Sequence, residues 1–237
     1  MSLKNKVIII TGASSGIGSM VAKHLATLGA NLVLAARGEK KLRELSQSLP
    51  SSLAVPTDVT KPGDAKRMVD QTLAKLGRID VLINCAAQAM FATVENIPVD
   101  QYRELLELNV IAPLNLMQLV IPHMRTQGGG TILNISSLSS KKFIPNIAGY
   151  ASTKYALNAL SLTARAELAK DNIVVSIILP GIVASDFGKH ALNPEPDALR
   201  HAPDGALLPH VISPEKVAQK VAELLESGEA ELEIAQP

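Results

Sequence analysis

The sequence predicts an α/β fold in which about seven parallel strands form one sheet with helices on both faces. Short apolar runs alternate with helix-spaced segments along the 237 residues, and repeated units of this kind specify a parallel sheet. Aromatic residues make up only 3% and Trp is absent, so Ala, Val, Ile and Leu must form the core, which suits a sheet buried on both faces. No linker, repeat or low-complexity tract interrupts the alternation. We therefore expect one domain over residues 1–237.

The individual elements follow from apolar periodicity, with strands at short apolar runs and helices where apolar residues recur three or four positions apart. The predicted strands are Val7–Ile10, Asn31–Ala36, Leu53–Val55, Val81–Ile83, Thr131–Ile135 and Val174–Leu179. The predicted helices are Gly16–Leu28, Lys40–Leu49, Asp64–Leu76, Gln101–Met124 and Tyr150–Ala169. Glycines at 29, 77 and 128–130 fall where helices should end and the chain should turn into the next strand.

The C-terminal region departs from this alternation. Residues 181–213 contain four prolines and show no clear periodicity, and a long irregular stretch in a compact domain is usually functional. Ser213 followed by Pro214 predicts a helix start, with Ser as the N-cap and Pro at the first helical position, and the helix should run to about Leu225. The apolar stretch Leu232–Ala235 is expected to add an edge strand.

Composition excludes several classes of protein. A net charge of +1 and a pI of about 7.9 leave no electrostatic footprint for nucleic acid or an acidic membrane. The single Cys85 excludes an internal disulfide and fits a reducing compartment. No apolar run approaches the roughly eighteen residues of a membrane span, and the N-terminal run resembles a strand more than a signal peptide. We expect a cytoplasmic protein.

No metal site is predicted, because the five histidines lack the spacing of metal ligands. They are His24, His123, His190, His201 and His210.

A glycine-rich turn directly after the first strand predicts a nucleotide site. It reads Thr11-Gly-Ala-Ser-Ser-Gly-Ile-Gly18, and a helix follows at once. Glycines in such a turn let the backbone approach a pyrophosphate, and the helix N-terminus carries partial positive charge. The spacing is G-x-x-x-G-x-G and differs from the usual G-x-G-x-x-G. The residues expected to bind the cofactor here are Gly12, Ser14, Ser15, Gly16, Ile17 and Gly18.

The end of the second strand indicates which dinucleotide binds. About twenty residues after the turn, a carboxylate would hold the ribose 2′-hydroxyl of NAD. This chain has Ala36 there and then Arg37, whose guanidinium is placed to pair with a 2′-phosphate, so NADP is favoured over NAD. The alternative for Arg37 is a solvated loop residue. Asp58 and Val59, after the third strand, are predicted to contact the adenine edge; the alternative for Asp58 is an N-cap of the next helix.

Tyr150 and Lys154 are one helical turn apart and project from one face of a helix. The unperturbed pKa of a phenol is about 10. A cation at about 4 Å and an effective dielectric near 20 contributes about 4 kcal/mol, which would bring that pKa close to neutral. Such a phenol can exchange a proton with an alcohol oxygen, and a nearby serine hydroxyl can hold that oxygen. Ser136 and Ser137 end the preceding apolar strand. The alternative is an amphipathic helix start with a surface Lys.

From Val7 to about Ser185, the chain resembles the classical short-chain dehydrogenase/reductase family. The resemblance rests on five features that occur in this order: T-G-x-x-x-G-x-G, Asn84, Asn109, Ser137 and Tyr150-x-x-x-Lys154. The resemblance implies a doubly wound Rossmann sheet. Residues 1–100 would mainly bind the cofactor, 101–180 would carry catalysis, and 181–213 would form the substrate loop. It also implies a homotetramer or homodimer built on the helices at 101–124 and 150–169.

The resemblance also implies an Asn-Ser-Tyr-Lys catalytic tetrad. Tyr150 would be the general acid in reduction and the base in oxidation, and Lys154 would lower the pKa of the phenol and hold the nicotinamide ribose. The family's serine lies thirteen residues before the tyrosine, which selects Ser137. Asn109 would bind a water that links Lys154 to solvent; the alternative is a polar residue near a kink at Pro113.

Two further family motifs appear with changes. The family's P-G-x-V-x-T is Pro-Gly-Ile-Val-Ala-Ser at 180–185, so Ser185 replaces Thr and keeps the hydroxyl. The family's N-N-A-G is Asn-Cys-Ala-Ala at 84–87, where Ala87 adds a methyl at a position of close approach. Cys85 is expected to be a small, buried apolar residue. The cofactor-binding residues implied by these motifs are Asn84, Ala86, Pro180, Gly181, Val183 and Ser185, together with Tyr150 and Lys154.

Two classes of function remain open. The first is an NADP-dependent oxidoreductase that interconverts a ketone or aldehyde and an alcohol by hydride transfer. The second is a non-catalytic Rossmann protein that senses NADP(H) or binds a partner. Within the first class, the resemblance allows 3-oxoacyl carrier-protein thioesters, steroids, sugars, polyols and xenobiotic ketones as substrates.

Overall fold

Seven parallel strands form one sheet in the computed structural model, which describes residues 2–193 and 211–234. The strand order is β3-β2-β1-β4-β5-β6-β7. The strands are β1 (Val7–Thr11), β2 (Asn31–Ala36), β3 (Ser52–Pro56), β4 (Val81–Asn84), β5 (Gly130–Ile135), β6 (Ile173–Pro180) and β7 (Glu231–Ile234). All neighbours pair in parallel, so the predicted parallel sheet is confirmed. The predicted edge strand is β7, and its expected last residue, Ala235, lies outside the described residues.

Helices cover both faces of this sheet. They are α1 (Gly16–Thr27), α2 (Glu39–Ser48), α3 (Pro62–Leu76), α4 (Val99–Leu106), α5 (Ala112–Thr126), α6 (Ala148–Leu168) and α7 (Pro214–Ser227). Successive strand residues point to opposite faces: Ile8 and Ile10 pack with α1 and α7, and Ile9 packs with α3 and α5. The central strand β1 is thus buried along its whole length, as a sheet covered on both faces requires, whereas the edge strand β7 contains the exposed Glu233.

The helix predicted at Gln101–Met124 is divided by a π-helical turn. One helical run, Val99–Thr126, contains α4, the turn Glu107–Ile111 and α5. Asn109 lies inside the turn, and Pro113 follows in the first turn of α5. Pro113 has no N–H to donate to the carbonyl of Asn109, so that carbonyl lacks its α-helical partner. The predicted disturbance near Pro113 is therefore a π-helical turn, a feature often found at functional sites.

The same run meets the length and hydropathy criterion for crossing a membrane, and within the described residues it alone does so. Core helices of soluble proteins also meet this criterion. Leu116, Val120 and Met124 of this run are buried in the core beside the sheet. The finding is accordingly weak evidence for a membrane span.

The start of α7 confirms the predicted cap. Ser213 is the N-cap, and its hydroxyl accepts a hydrogen bond from the backbone N–H of Lys216 at 3.2 Å. Pro214 takes the first helical position, where its missing N–H costs nothing. The helix runs to Ser227, slightly beyond the expected end. It returns the chain to the sheet so that β7 pairs with β6.

Candidate active site

The predicted site residues meet at the carboxyl edge of the sheet. All strands are parallel, so the residues that follow them lie at this one edge. β1 lies between β2 and β4, which makes it the point where the strand order reverses. Ligands of such sheets bind in the crevice at this point. The glycine turn follows β1, Asn84 ends β4, and Ser137 lies two residues beyond β5.

The glycine turn is a tight strand-to-helix connection whose close contacts exclude side chains. A Cβ at Gly12 would lie 2.8 Å from Ala86 Cα, and the φ of Gly12 is +66°. A Cβ at Gly18 would lie 2.4 Å from the Gly12 carbonyl oxygen. Neither position accepts another residue unless the turn opens. The turn lies directly against the residues that follow β4.

The N-terminus of α1 suits a pyrophosphate. Ser15 is the N-cap, its side chain forms no capping hydrogen bond, and the first turn contains no acidic residue. Backbone N–H groups at the start of a helix lack intrahelical acceptors and carry partial positive charge, so an anion fits them. Ser14 and Gly16 are half-buried and Ser15 is exposed at this end, whereas Ile17 packs against the core. The residues present therefore fit a dinucleotide.

Arg37 lies where the sequence analysis placed it, exposed immediately after β2. Within residues 2–193 and 211–234 it forms no ion pair. The same loop borders the glycine turn, since a Cβ at Gly38 would lie 3.9 Å from Ser14 Oγ. Ala36 ends β2 without a carboxylate, so nothing acidic occupies the ribose position of the strand. Arg37 is a cation in the loop that borders the glycine turn.

Asp58 and Val59 follow β3, but their side chains are occupied by the fold. Asp58 Oδ1 accepts hydrogen bonds from the Thr60 hydroxyl at 2.7 Å and the Thr60 N–H at 3.1 Å. Lys61 is the N-cap of α3, so the alternative that Asp58 caps this helix is wrong. The Val59 side chain is 7% exposed and belongs to the core. A contact from Val59 to adenine would have to come from its backbone.

The residues after β4 support the sheet and the turn. Asn84 Nδ2 donates to Asn134 Oδ1 at 2.7 Å, which joins β4 to β5. The N–H groups of Cys85 and Ala86 donate to Thr11 Oγ1 at 3.0 and 3.1 Å. Ala87 is not among the residues with a positive φ, so its methyl group fits without backbone strain.

Cys85 is half-buried, where the sequence analysis predicted a buried residue. It packs against the core, and burial raises the pKa of its thiol to about 12. The opposing influence is the charge of Lys154, which lies close enough to act on the thiol. The thiol is therefore neutral at physiological pH.

The four serines after β5 have separate partners. The Ser136 hydroxyl donates to Asn158 Oδ1, and Asn158 Nδ2 donates to Ser140 Oγ at 2.8 Å, so these two serines belong to a buried network. Ser139 is buried, and its backbone N–H donates to Ser137 Oγ at 3.2 Å. Of these four serines, Ser137 is the one whose hydroxyl acts on the Tyr150 phenol and lowers its pKa, so it lies next to that group. The structure thus brings Ser137 to the phenol, as the family spacing implied.

Tyr150 and Lys154 lie on one face of α6, and the Lys154 ammonium lies near the ring of Tyr150. Lys154 Nζ lies 5.8 Å from the centroid of the Tyr150 ring and donates to the Ile135 carbonyl at 2.8 Å. The lysine is 2% exposed, and burial lowers its pKa to about 8. The alternative of a surface lysine is wrong.

The pKa of Tyr150 differs from expectation. Burial raises it to about 12, and the hydrogen bond with Ser137 opposes that rise. The prediction that Lys154 brings this pKa close to neutral is wrong for this structure, because burial of the phenol outweighs the one lowering influence, which comes from Ser137. The phenol carries its proton at neutral pH.

Asn109 projects from the π-helical turn to the residues after β4. Its Oδ1 accepts from the Gln88 N–H at 3.0 Å, and its Nδ2 donates to the Gln88 carbonyl at 2.9 Å. Nδ2 also donates to Thr153 Oγ1 at 3.1 Å, which links the turn to the residue before Lys154. The side chain is therefore occupied by Gln88 and Thr153, and the water contact expected of Asn109 stays a prediction.

Residues 180–185 bring a further group of predicted residues to the site. Pro180 ends β6, and the Gly181 N–H donates to Ile234 O at 3.1 Å. Val183 pairs with Ile212 in an isolated parallel β-bridge. Ser185 faces the glycine turn, since a Cβ at Gly16 would lie 3.8 Å from Ser185 Cβ. The predicted substrate loop at 181–213 is described only at 181–193 and 211–213.

Two residues near the phenol were not predicted. The ring of Phe187 meets the ring of Tyr150 edge-on, with centroids 5.9 Å apart and an interplanar angle of 62°. Gln88 Nε2 donates to the His190 carbonyl at 2.8 Å and joins the two segments that border the site. The sequence offered one signal for Phe187: it is one of only three Phe in the chain, and it lies two residues after the predicted site residue Ser185. Gln88 had none.

A family model described as short chain dehydrogenase matches residues 6–195. The chain belongs to the short-chain dehydrogenase family. An uncharacterized oxidoreductase of Staphylococcus epidermidis is 33% identical over 194 residues, which are 79% of this chain and 84% of that protein. The mouse dehydrogenase/reductase SDR family member 7B is 34% identical over 80% of this chain and 61% of its own length. This dehydrogenase is therefore an oxidoreductase acting on CH–OH groups.

Solved structures of the same family superpose on nearly the whole chain. A 7α-hydroxysteroid dehydrogenase complexed with NADH and 7-oxo glycochenodeoxycholic acid has 30% identity and a TM-score of 0.87, covering 98% of this chain and 94% of its own. A 3-ketoacyl-(acyl-carrier-protein) reductase of Brucella melitensis complexed with NADH has 26% identity and a TM-score of 0.88, covering 99% and 98%. An alcohol dehydrogenase of Thermococcus sibiricus complexed with 5-hydroxy-NADP has 26% identity and a TM-score of 0.84, covering 99% and 99%. The predicted Rossmann fold is confirmed.

Proposed function

We propose that this dehydrogenase reduces a ketone or aldehyde to an alcohol with NADPH, and that the tetrad Asn109, Ser137, Tyr150 and Lys154 carries the reaction. The observation that supports this most directly is that the buried Lys154 lies 5.8 Å from the Tyr150 ring centroid while the Ser137 hydroxyl acts on the same phenol. A non-catalytic NADP(H) sensor has no use for a buried ammonium beside a phenol. Nicotinamide, when bound, supplies the hydride that passes to the carbonyl carbon.

Each residue of the tetrad has a separate task in this proposal. The Tyr150 phenol donates its proton to the substrate oxygen, and the Ser137 hydroxyl donates a hydrogen bond to the same atom. The positive charge of Lys154 stabilises the phenolate that forms. Asn109 holds the residues after β4 through both backbone groups of Gln88, and its carbonyl binds a water that returns the proton. The negative charge that develops on the substrate oxygen therefore lies next to two hydrogen-bond donors, the Tyr150 phenol and the Ser137 hydroxyl.

The preference for NADP rests on Arg37. A guanidinium pairs well with a phosphate, whereas a carboxylate in its place would accept from the ribose 2′-hydroxyl and repel the 2′-phosphate. The comparisons include structures with either cofactor type. The support therefore comes from the exposed Arg37 after β2 and from the lack of an acid at Ala36.

Replacing Arg37 with Asp is expected to raise the KM for NADPH by about tenfold or more and to leave the KM for NADH unchanged or lower. A panel of carbonyl compounds, with NADPH or NADH consumption followed by absorbance, measures this. Lys40→Met, an exposed cation on the adjoining helix α2, is the control for general loss of positive charge. Faster turnover with NADH than with NADPH throughout the panel of the unmodified chain would contradict the proposed preference.

The pH dependence should differ between the two directions of reaction. The pKa of Tyr150 is raised to about 12, so the phenol is protonated at neutral pH, as carbonyl reduction requires. We expect kcat/KM for reduction to stay nearly constant from about pH 6 to about pH 8. Oxidation requires the deprotonated phenol, whose fraction rises about tenfold per pH unit below its pKa. The rise should be steepest below about pH 8, where Lys154 still carries its charge. Initial rates in both directions measure the difference, and an oxidation rate that falls as the pH rises from about 7 contradicts it.

The substrate proposed is a carbonyl compound with an apolar part. Phe187 is 38% exposed beside the phenol, and Ile182 is 44% exposed near the same edge. The steroid and 3-ketoacyl thioester classes, which the neighbouring structures act on, both contain such a part. Sugars and polyols fit these apolar groups less well. We propose residues 181–213 as the substrate segment of a one-domain enzyme.

We also propose a homotetramer or homodimer, located in the cytoplasm. Exposed apolar side chains occur on the helices implied in assembly, and one face of α6 carries four of them at helical spacing: Tyr155, Ala159, Leu162 and Ala166. Phe143 is 95% exposed and stacks on Tyr155 with ring centroids 6.2 Å apart. An apolar face of this kind favours contact with a second copy. The cytoplasmic location is supported by the single cysteine.

A further inference from the structure

Residues 186–192 lie beside the Tyr150 phenol, which the Phe187 ring contacts. The short helical turn Asp186–His190 follows Ser185, and it carries the Phe187 ring that meets Tyr150 edge-on at 5.9 Å. The ion pair inside this turn joins Lys189 to Asp186 at 2.8 Å, but both side chains are about two-thirds exposed at 64% and 68%. Exposed pairs contribute little to stability. The turn therefore depends on other contacts for its position.

Those contacts come from residues 88–91, after β4. The backbone of Leu192 is paired on both sides, because its N–H donates to Ala89 O at 2.8 Å and its carbonyl accepts from Phe91 N at 3.1 Å. The side-chain contact is from Gln88, whose Nε2 donates to the His190 carbonyl at 2.8 Å. This bond holds the end of the helical turn three residues beyond Phe187.

Gln88 projects from a backbone that is itself fixed. Asn109, which is 1% exposed, binds both the N–H and the carbonyl of Gln88. An amide that projects from a fixed backbone restricts its acceptor more than one that projects from a free loop. A continuous set of contacts therefore leads from Asn109 through Gln88 and His190 to Phe187 and Tyr150.

We propose that Gln88 is a positioning residue: its amide holds residues 186–192 so that the Phe187 ring forms an apolar wall of the substrate pocket beside Tyr150. The inference rests on the proposed function, because it assigns the wall to the site where the carbonyl binds. Substrates with a large apolar group next to the carbonyl would depend on this wall most. Small or polar carbonyl compounds would depend on it least. Gln88 would thereby influence specificity without touching the substrate.

The position of the wall can be measured without turnover. The chain has no Trp, so Phe187→Trp introduces a single fluorescent reporter at the wall. In that background, Gln88→Met keeps the side-chain length and removes the donor, and Gln219→Met, an exposed residue of α7, is the matched control. We expect Trp anisotropy to fall with Gln88→Met and to stay unchanged with Gln219→Met, with melting temperatures alike. Unchanged anisotropy with Gln88→Met overturns the inference.

The kinetic arm uses the native Phe187 and compares an aryl ketone with a small aliphatic aldehyde. Loss of one hydrogen bond should raise the KM of the Gln88→Met variant for the aryl ketone by about fivefold and change kcat by no more than about twofold. The aldehyde should be nearly unaffected. A fall in kcat with unchanged KM for both substrates shows a structural contact only and overturns the positioning role. If the native chain reduces no carbonyl compound, the proposed function fails, while the anisotropy still decides whether Gln88 holds the segment.

Discussion

Replacing Tyr150 with Phe is expected to lower turnover by at least about 100-fold and to leave cofactor binding unchanged. The substitution removes one hydroxyl and keeps the ring that packs against Phe187, so the shape of the site is retained. It takes away the group that Ser137 contacts and that supplies the proton. The remaining rate would come from positioning of the reactants and from the Ser137 hydroxyl, which together continue to bind the substrate oxygen.

The chain contains a matched control for this experiment. Tyr155 lies on the same helix, is 38% exposed and stacks on Phe143 away from the phenol, so Tyr155→Phe should retain turnover. Cofactor binding can be followed by the fluorescence of NADPH, without interference from Trp because the chain has none. Turnover by Tyr150→Phe at the rate of the unmodified chain would falsify the proposed role of the phenol.

The fold was predictable because its signals are local. Most strands contain a short apolar run, as a sheet covered on both faces requires, and several helices end at a glycine that can adopt a positive φ, as Gly77 does at +74°. The order of strands followed from the resemblance to the family. The π-helical turn was not predictable, because one extra residue per turn at Glu107–Ile111 leaves the apolar face of the run nearly continuous.

The candidate site was predictable where motifs fix the spacing, as for Ser137, Tyr150 and Lys154. It was not predictable where contacts join distant segments. Gln88 and His190 are 102 residues apart, and nothing in either local sequence indicates that they meet. The pKa of Tyr150 was expected with the wrong sign for a related reason. Spacing reveals a neighbouring cation, but burial, which raises the pKa here, depends on everything packed around the group.

Replacing Lys154 with Met should separate the catalytic role of this lysine from its effect on stability. At about 6 Å and an effective dielectric near 20, a positive charge stabilises a phenolate by about 3 kcal/mol, or about 100-fold in rate. Lys154 Nζ lies 5.8 Å from the centroid of the Tyr150 ring, so a loss of activity of this order is expected. Met keeps the length of the aliphatic chain and therefore the packing within α6. The rate of carbonyl reduction with NADPH measures the loss.

The stability of the same variant should depend on pH in a direction that follows from the lowered pKa. The pKa of Lys154 is about 8 in the folded chain against 10.5 for an unperturbed lysine, so the unfolded chain binds more protons between these two pH values. The free energy of unfolding of the native chain should therefore rise from about pH 8 to about pH 10.5, as the buried charge is lost. Lys154→Met removes this contribution. The substitution also removes the hydrogen bond from Lys154 to the Ile135 carbonyl. The stability lost with that bond varies little with pH while Lys154 stays charged.

Relative to the native chain, Lys154→Met should be most stable near pH 7 and lose up to about 3 kcal/mol of that relative stability by about pH 10.5. Urea unfolding at several pH values measures this difference, which compares the two chains and cancels the titration of their other groups. Lys23→Met, an exposed lysine of α1, should show no such trend. A difference between Lys154→Met and the native chain that stays constant across this range would mean that Lys154 is not buried as a charge. A solvated ammonium at the same distance would stabilise the phenolate far less, because water would screen its charge.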